Sequence, residues 1–294
     1  EALKATVSKY TPEYVEKISG IPADDLKKAA RLYAKSGASA IVYAMGITQH
    51  INGTDNVKSL ANLAMLTGQI GRPGTGVNPL RGQNNVQGAC DMACLPGNLP
   101  AYKKVTEATD RKPFEDAWGV SLPDKVGLTI PKIIDAAASG AVKALYVMGE
   151  NPMMSDPDVK HVEKALKNLD LLVVQDIFLT ETGNLAHVVL PTAGWSEKEG
   201  TYTNTERRVQ RIRKAVDAPG EARPDWEIIT LLANRLGANW KYASAKDIFE
   251  EVCKVTVSYA GITYERIEKE GIQWPCPNTE HPGTQILHSA AFTR

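Results

Sequence analysis

One arginine and four side-chain amides fall within the seven positions Arg81-Gly82-Gln83-Asn84-Asn85-Val86-Gln87, and the run continues through Gly88-Ala89-Cys90-Asp91. A guanidinium presents a rigid planar fork of donors to a carboxylate or phosphate, and an amide both donates and accepts. A single asparagine here could simply cap a helix or shape a turn. Four amides in seven positions exceed that need, so the run reads as a recognition surface for a small polar or anionic group.

The elements that must hold this run follow from periodicity. Thr11-Pro12-Glu13 opens a short helix that Gly20 ends. Pro22 opens another, with Leu26, Ala29, Ala30, Leu32 and Tyr33 at helical spacing, stopped by Ser36-Gly37. Ala40 to Met45 reads as a buried strand ending at Gly46. A helix from about Asp55 to Thr67 carries Val57, Leu60, Ala61, Leu63, Ala64 and Leu66 as a core-facing stripe. The grammar then repeats: helix Ile130 to Ser139, strand Ala144 to Met148, helix Val159 to Leu166, strand Leu171 to Val174, a helical turn near Thr180 to Thr182, and strand Val188 to Leu190. Past Pro191 the pattern fades. Trp195 to Arg213 is polar and rich in arginine, Trp226 to Leu236 and Ala245 to Val255 read as amphipathic helices, and the tail from Gly271 is irregular.

Strands alternating with helices imply an α/β protein built on parallel sheets. Ligands in such sheets lie beyond the carboxyl ends of the strands. Gly46 to Gln49, Gly149 to Asn151 and Gln175-Asp176 occupy those positions.

Composition narrows the partners. The 294 residues carry 34 basic and 34 acidic side chains, which leaves no global field for nucleic acid or an anionic membrane. No apolar run approaches the roughly 20 residues that span a bilayer. The opening residues Glu1-Ala2-Leu3-Lys4 have no initiator Met and no signal pattern, so a cytoplasmic piece of a longer protein is expected. The four cysteines show no disulfide framework. Cys90 and Cys94 form a close pair but fall short of the three or four ligands a metal or cluster needs, and read as reduced thiols. Cys276 with His281 and His288 makes only a loose metal pattern, and His187 reads as a core or surface residue. Gly71-x-x-Gly74-x-Gly76 lacks the strand before it and the lysine after it that a phosphate loop requires. Neither a nucleophile elbow nor a zinc-binding histidine pair occurs. Amides, arginine and glycines around parallel strands, with no evident catalytic base, point to a large bound cofactor that carries the reaction.

Several separated motifs bear a resemblance. They are Met45-Gly46-Ile47-Thr48-Gln49, Leu63-Ala64-Met65-Leu66-Thr67-Gly68, Gly74-Thr75-Gly76-Val77-Asn78-Pro79, Arg81 to Asp91 and Met148-Gly149-Glu150-Asn151-Pro152. Further along come Gln175-Asp176-Ile177-Phe178, Leu190-Pro191, Glu199 to Asn204 and Gln273-Trp274-Pro275-Cys276. Together, from about Ala23 to His288, the chain resembles the catalytic subunit of molybdenum- or tungsten-dependent formate dehydrogenases, in the bis-molybdopterin guanine dinucleotide oxidoreductase family. The resemblance implies two Rossmann-like parallel-sheet units plus an irregular α-rich C-terminal region. It divides the chain into residues 1–83, the C-terminal half of a first α/β domain; 84–195, a second cofactor-binding domain; and 196–294, a segment of partly missing domains.

By the same resemblance Arg81 holds the substrate carboxylate and Gln83 is its neighbour at the reacting centre. Met45, Gly46, Gln49, Gly82, Gly149, Glu150, Asn151, Gln175, Asp176 and Thr192 line the pterin dinucleotides. Formate and CO2 are the implied substrate pair, with an iron–sulfur or flavin subunit as electron partner. The family's [4Fe-4S] cysteines and its Cys- or selenocysteine-His metal ligand are expected upstream of this chain, so no metal ligand is assigned here and the isolated fragment is expected to be inactive. Ala93 stands where many relatives have glycine. Two alternatives stay open: another pterin oxidoreductase of the nitrate reductase type, or a non-catalytic electron-transfer scaffold like the large subunits of respiratory NADH dehydrogenases.

Overall fold

The computed structural model describes residues 2–289, which divide into two compact units. The first runs to Gly82 and takes in the segment from Gln285; the second spans Gln83–Thr284.

The first unit begins with helices α1 (Ala2–Val7), α2 (Pro12–Ser19) and α3 (Ala23–Lys35). Thr11 caps α2 by accepting the Tyr14 N–H at 3.2 Å, and Gly20 ends it in the left-handed region. Strand β1 (Ala40–Tyr43) is followed by the helical turn α4 (Met45–Thr48), helix α5 (Gly53–Leu66) and strand β2 (Gly76–Pro79). β1 and β2 pair in parallel, as expected for a β–α–β crossover.

Three expectations need correction in this unit. The first strand stops at Tyr43, and Met45 belongs to α4. β1 is not buried: it pairs with β2 alone in a two-stranded sheet, and Val42 is 57% exposed. On α5 the buried stripe is narrower than read. Val57, Leu60, Ala61 and Ala64 turn inward at i, i+3, i+4 and i+7, while Leu63 and Leu66 face solvent.

The second unit opens with the short helix α6 (Val86–Asp91), strands β3 (Asn98–Leu99) and β4 (Lys103–Lys104), and helix α7 (Ala108–Trp118). It continues with α8 (Ile130–Ala138), β5 (Ala144–Met148), α9 (Pro152–Ser155), α10 (Val159–Lys167), β6 (Leu171–Asp176) and β7 (Val188–Pro191). Strands β5, β6 and β7 form a parallel sheet in that order. Ile134 and Ala137 of α8 and Val162, Ala165 and Leu166 of α10 pack over Val147, Leu172 and Val174 of the strands. Leu166 and Leu172 are fully buried, which stabilises the layer by about 1.5–3 kcal/mol for each side chain. His187 serves the sheet, its Nδ1 accepting the Leu172 N–H at 2.9 Å.

Where the sequence pattern fades, the chain forms an antiparallel hairpin of β8 (Gly200–Thr203) and β9 (Arg208–Ile212), joined at the edge by β10 (Ile272–Gln273). Helices α11 (Asp225–Arg235) and α12 (Ala245–Val255) lie between. Ser244 and Asp247 cap α12 reciprocally. Val209, Phe249, Tyr259, Ile262, Tyr264, Ile267 and Cys276 form the core here. The arginines of β9 and Arg213 just after it are structural: Arg211 and Arg213 pair with Glu268, and Arg208 pairs with Glu206. The segment from Gly271 to Thr284 is therefore tied into this core, although its sequence gives no regular pattern.

Candidate cofactor and substrate site

In the second unit the carboxyl ends of β5, β6 and β7 bring together Gly149, Glu150, Asn151, Gln175, Asp176 and Thr192, half of the residues singled out from sequence. Gly149 follows β5 with φ +64°, and its N–H donates to the Gln175 carbonyl at 2.9 Å. An added Cβ there would meet nothing within 4 Å, so the backbone faces open space. Glu150 is exposed. Asn151 is held rigidly: its Oδ1 accepts the Thr182 hydroxyl at 2.7 Å and the Thr182 N–H at 3.2 Å, and its Nδ2 donates to Glu181 at 2.8 Å. Thr182 is fully buried and its hydroxyl also accepts the Met153 N–H at 3.1 Å.

Gln175 is fully buried, with Tyr146 donating to its Oε1 and its own Nε2 donating to Asp225 at 2.8 Å. Thr192, 7% exposed, reaches the same Asp225 oxygen at 2.9 Å, while Lys198 pairs with the other. Burial pushes the Asp225 carboxyl upward, but Lys198, Thr192 and Gln175 outweigh it and hold the group below the ordinary carboxylate value. Asp176 Oδ1 accepts the N–H groups of Ile177 and Phe178 at 2.7 and 3.2 Å, closing the turn after β6. The Gln175 amide is thus part of the frame, and Asp176 shapes the loop that leaves the strand.

Sequence reasoning did not single out Tyr146, Thr182, Lys198 or Asp225. Tyr146 sits inside an apolar strand run. The Pro224-Asp225 pair that opens α11 was the available signal for Asp225.

The Arg81–Asp91 run crosses from one unit to the other. Arg81 and Gly82 close the first unit and are exposed, as are Met45, Gly46 and Gln49 in that same unit. His50 Nε2 lies 2.9 Å from the Gly46 carbonyl oxygen. A Cβ on Gly46 or Gly82 would meet nothing within 4 Å. In the second unit Gln83 is exposed and precedes α6, its carbonyl 3.5 Å from the Val86 N–H. Asn85, with φ +59°, accepts the Thr203 N–H of β8 on its Oδ1 at 2.9 Å. At the far end of α6 the Asp91 carboxylate is fully buried among Gln87, Tyr102, Tyr259 and Trp274. Burial, then the adjacent Asp91 charge, pushes the Tyr102 and Tyr259 hydroxyls far upward.

Among the described residues no three His, Cys, Asp or Glu side chains stand together as a metal site. Cys276 is buried, with the His281 carbonyl oxygen 3.3 Å from its sulfur. Among the same residues no helix is long and apolar enough to cross a membrane.

Open α/β sheets place ligands at such glycine-lined loops and fixed polar groups beyond the ends of their parallel strands. The model of the molybdopterin oxidoreductase family matches residues 15–235, and the chain belongs to that family. It is 55% identical to the F420-dependent formate dehydrogenase 1 subunit alpha of Methanococcus maripaludis over 98% of this chain and 43% of that protein. It is 44% identical to formate dehydrogenase H of Escherichia coli over 99% of this chain and 41% of that protein. The chain thus spans less than half the length of these relatives. Among solved structures, the acetylene hydratase of Pelobacter acetylenicus superimposes with a TM-score of 0.68 at 22% identity, covering 92% of this chain and 40% of that one, and shares the fold.

Proposed function

We propose that the full-length protein oxidises formate to CO2, or runs the reverse reduction, with this chain supplying part of the pterin cradle and the substrate clamp. The observation that carries this reading is the similarity of nearly the whole chain to formate dehydrogenase alpha subunits.

The residues present fit a bis-molybdopterin guanine dinucleotide group. Gly46, Gly82 and Gly149 leave room for close approach of backbone to a flat ring or a pyrophosphate. Met45 and Gln49 in the first unit, and separately Glu150, Asn151 and Asp176 in the second, offer side chains to such a group. Gln175 and Thr192 stiffen the wall through Asp225. When bound, the group with its molybdenum or tungsten supplies two-electron redox chemistry.

The remaining steps belong to the chain. Arg81 binds the formate carboxylate through a planar pair of charge-assisted bonds and so fixes where its C–H points. Gln83 adds an amide beside it. The reaction releases CO2, one proton and two electrons. A [4Fe-4S] cluster, held by cysteines outside this chain, would supply electron transfer to an iron–sulfur or flavin partner subunit in the cytoplasm. Residues 1–83 and 84–195 serve as two cofactor-binding regions, and 196–294 joins further domains.

Anaerobically purified full-length protein should contain pterin with molybdenum or tungsten, reduce a viologen dye with formate, and not oxidise the reduced dye with nitrate. Metal-replete protein without formate-dependent reduction would overturn the reading.

A further inference from the structure

Asp91 ends α6, and its carboxylate is fully buried. Among the described residues four side-chain donors converge on it. Gln87 Nε2 and the Tyr102 hydroxyl reach Oδ1, each at 2.8 Å. The Tyr259 hydroxyl and the Trp274 indole N–H reach Oδ2 at 2.6 and 2.7 Å. Gln87 also donates to the Tyr102 hydroxyl at 3.0 Å, which closes the ring of bonds. A carboxylate offers acceptor sites on both oxygens, and here both are used twice. A buried network with its partners satisfied fixes one geometry.

Trp274 is itself clamped. Its N–H donates to the Arg207 carbonyl at 3.1 Å, its carbonyl accepts from the Arg207 guanidinium, and that guanidinium lies 5.4 Å from the indole ring. The opposite end of α6 is tied through Asn85 to Thr203. Gly88 has to be glycine for this tie, because a Cβ there would stand 2.1 Å from Asn85 Oδ1. Helix α6 is therefore pinned at both ends, and Gln83 is delivered from its start.

We propose that Asp91 is a positioning residue for the formate site, holding α6 through the Tyr102, Tyr259 and Trp274 contacts so that Gln83 is presented in one orientation. This rests on the proposed formate reaction. Asparagine cannot substitute. Its NH2 group would face Gln87 and Tyr102 on one side or Tyr259 and Trp274 on the other; the hydroxyl can turn to accept from it, but the Gln87 amide or the Trp274 indole N–H loses its Asp91 acceptor.

The test is a double-variant cycle in the full-length enzyme, with Asp91→Asn, Gln83→Ala and the pair together, alongside Phe114→Leu as a core change outside the network. Asp91→Asn should lower kcat for formate roughly 10–100-fold at unchanged metal and pterin content. Phe114→Leu should cost similar thermal stability without that loss. In the Gln83→Ala background Asp91→Asn should add no more than about a twofold change, because both act through one group. Should Asp91→Asn fail to fold, Tyr259→Phe, which removes one donor to Asp91 and leaves the other three in place, takes its place in the cycle with a roughly three- to tenfold loss expected. Multiplicative losses in the cycle, wild-type kcat in either network variant, or a matching loss in Phe114→Leu would each overturn the proposal. Lack of formate turnover in the wild type would refute the functional reading instead.

Discussion

Trp274 and Asp91 stand 183 positions apart in the chain, yet the indole N–H of one donates to the carboxylate of the other at 2.7 Å. That bond joins the irregular tail to the helix that follows the amide-rich run. Trp274→Phe keeps an aromatic ring beside Tyr259, where the present rings stack 6.3 Å apart, and deletes the bond. The loss should be about 1.5–3 kcal/mol, as for a hydrogen bond to a charged group, read as a lower urea midpoint. An unchanged midpoint would show that the tail is held by packing alone.

Thr182 holds Asn151 and Met153 through one buried hydroxyl. Thr182→Val preserves the shape but leaves the Met153 N–H unpaired, at a cost of about 1–3 kcal/mol. Pterin content of the full-length protein after gel filtration should fall, and Thr182→Ser should restore it. Equal pterin content in all three proteins would remove Asn151 from the cradle.

Asp225 sets an acid limit for the second unit. Although burial raises it, its bonds from Lys198, Thr192 and Gln175 leave it below its ordinary value. A carboxyl depressed in the folded state contributes its stability in full above its unfolded pKa, near 3.9, and loses it as pH falls through the folded value. Asp225→Asn should therefore be less stable at neutral pH and show a flatter stability curve below about pH 4. Denaturation midpoints taken between pH 3 and 7 check both, and an unaltered acid limb contradicts the assignment.

Ala93 has φ +74° at the end of α6, where the Cys94 N–H reaches back to the Ala89 carbonyl at 3.0 Å. That left-handed position suits glycine and strains an L side chain. Ala93→Gly should raise stability by about 0.5–1 kcal/mol, the relief of strain less the entropy of glycine. A drop in the thermal midpoint would show that the methyl group contributes packing there.

The strands and helices from Ile130 to Pro191 were legible in the sequence because apolar runs and helical spacing reflect a sheet buried under α8 and α10. The β8–β9 hairpin was not, because Val209 is its one fully buried hydrophobic side chain among the described residues and Arg211 is held by Glu268, far away in sequence. The site divides in the same way. Gly149 and Asn151 follow β5, and Gln175 and Asp176 close β6, so the strand-end rule could place them, while Thr192 was named only through the resemblance. The side chains that fix them come from other segments: Thr182 and Lys198 announce themselves only through contacts, and Asp225 only through the Pro224-Asp225 pair that opens α11. Asp91 could be read as frame for the amide run, but its partners Tyr102, Tyr259 and Trp274 lie in irregular stretches whose sequence carries no periodic signal.

Arg81→Lys in the full-length enzyme tests the central claim most directly, with kcat/KM for formate measured at equal metal and pterin content. Lysine keeps the positive charge but loses the planar fork, so the account predicts a fall of roughly 100-fold or more while the metal stays bound. Wild-type kcat/KM in a metal-replete Arg81→Lys enzyme would contradict it and remove Arg81 from the substrate site.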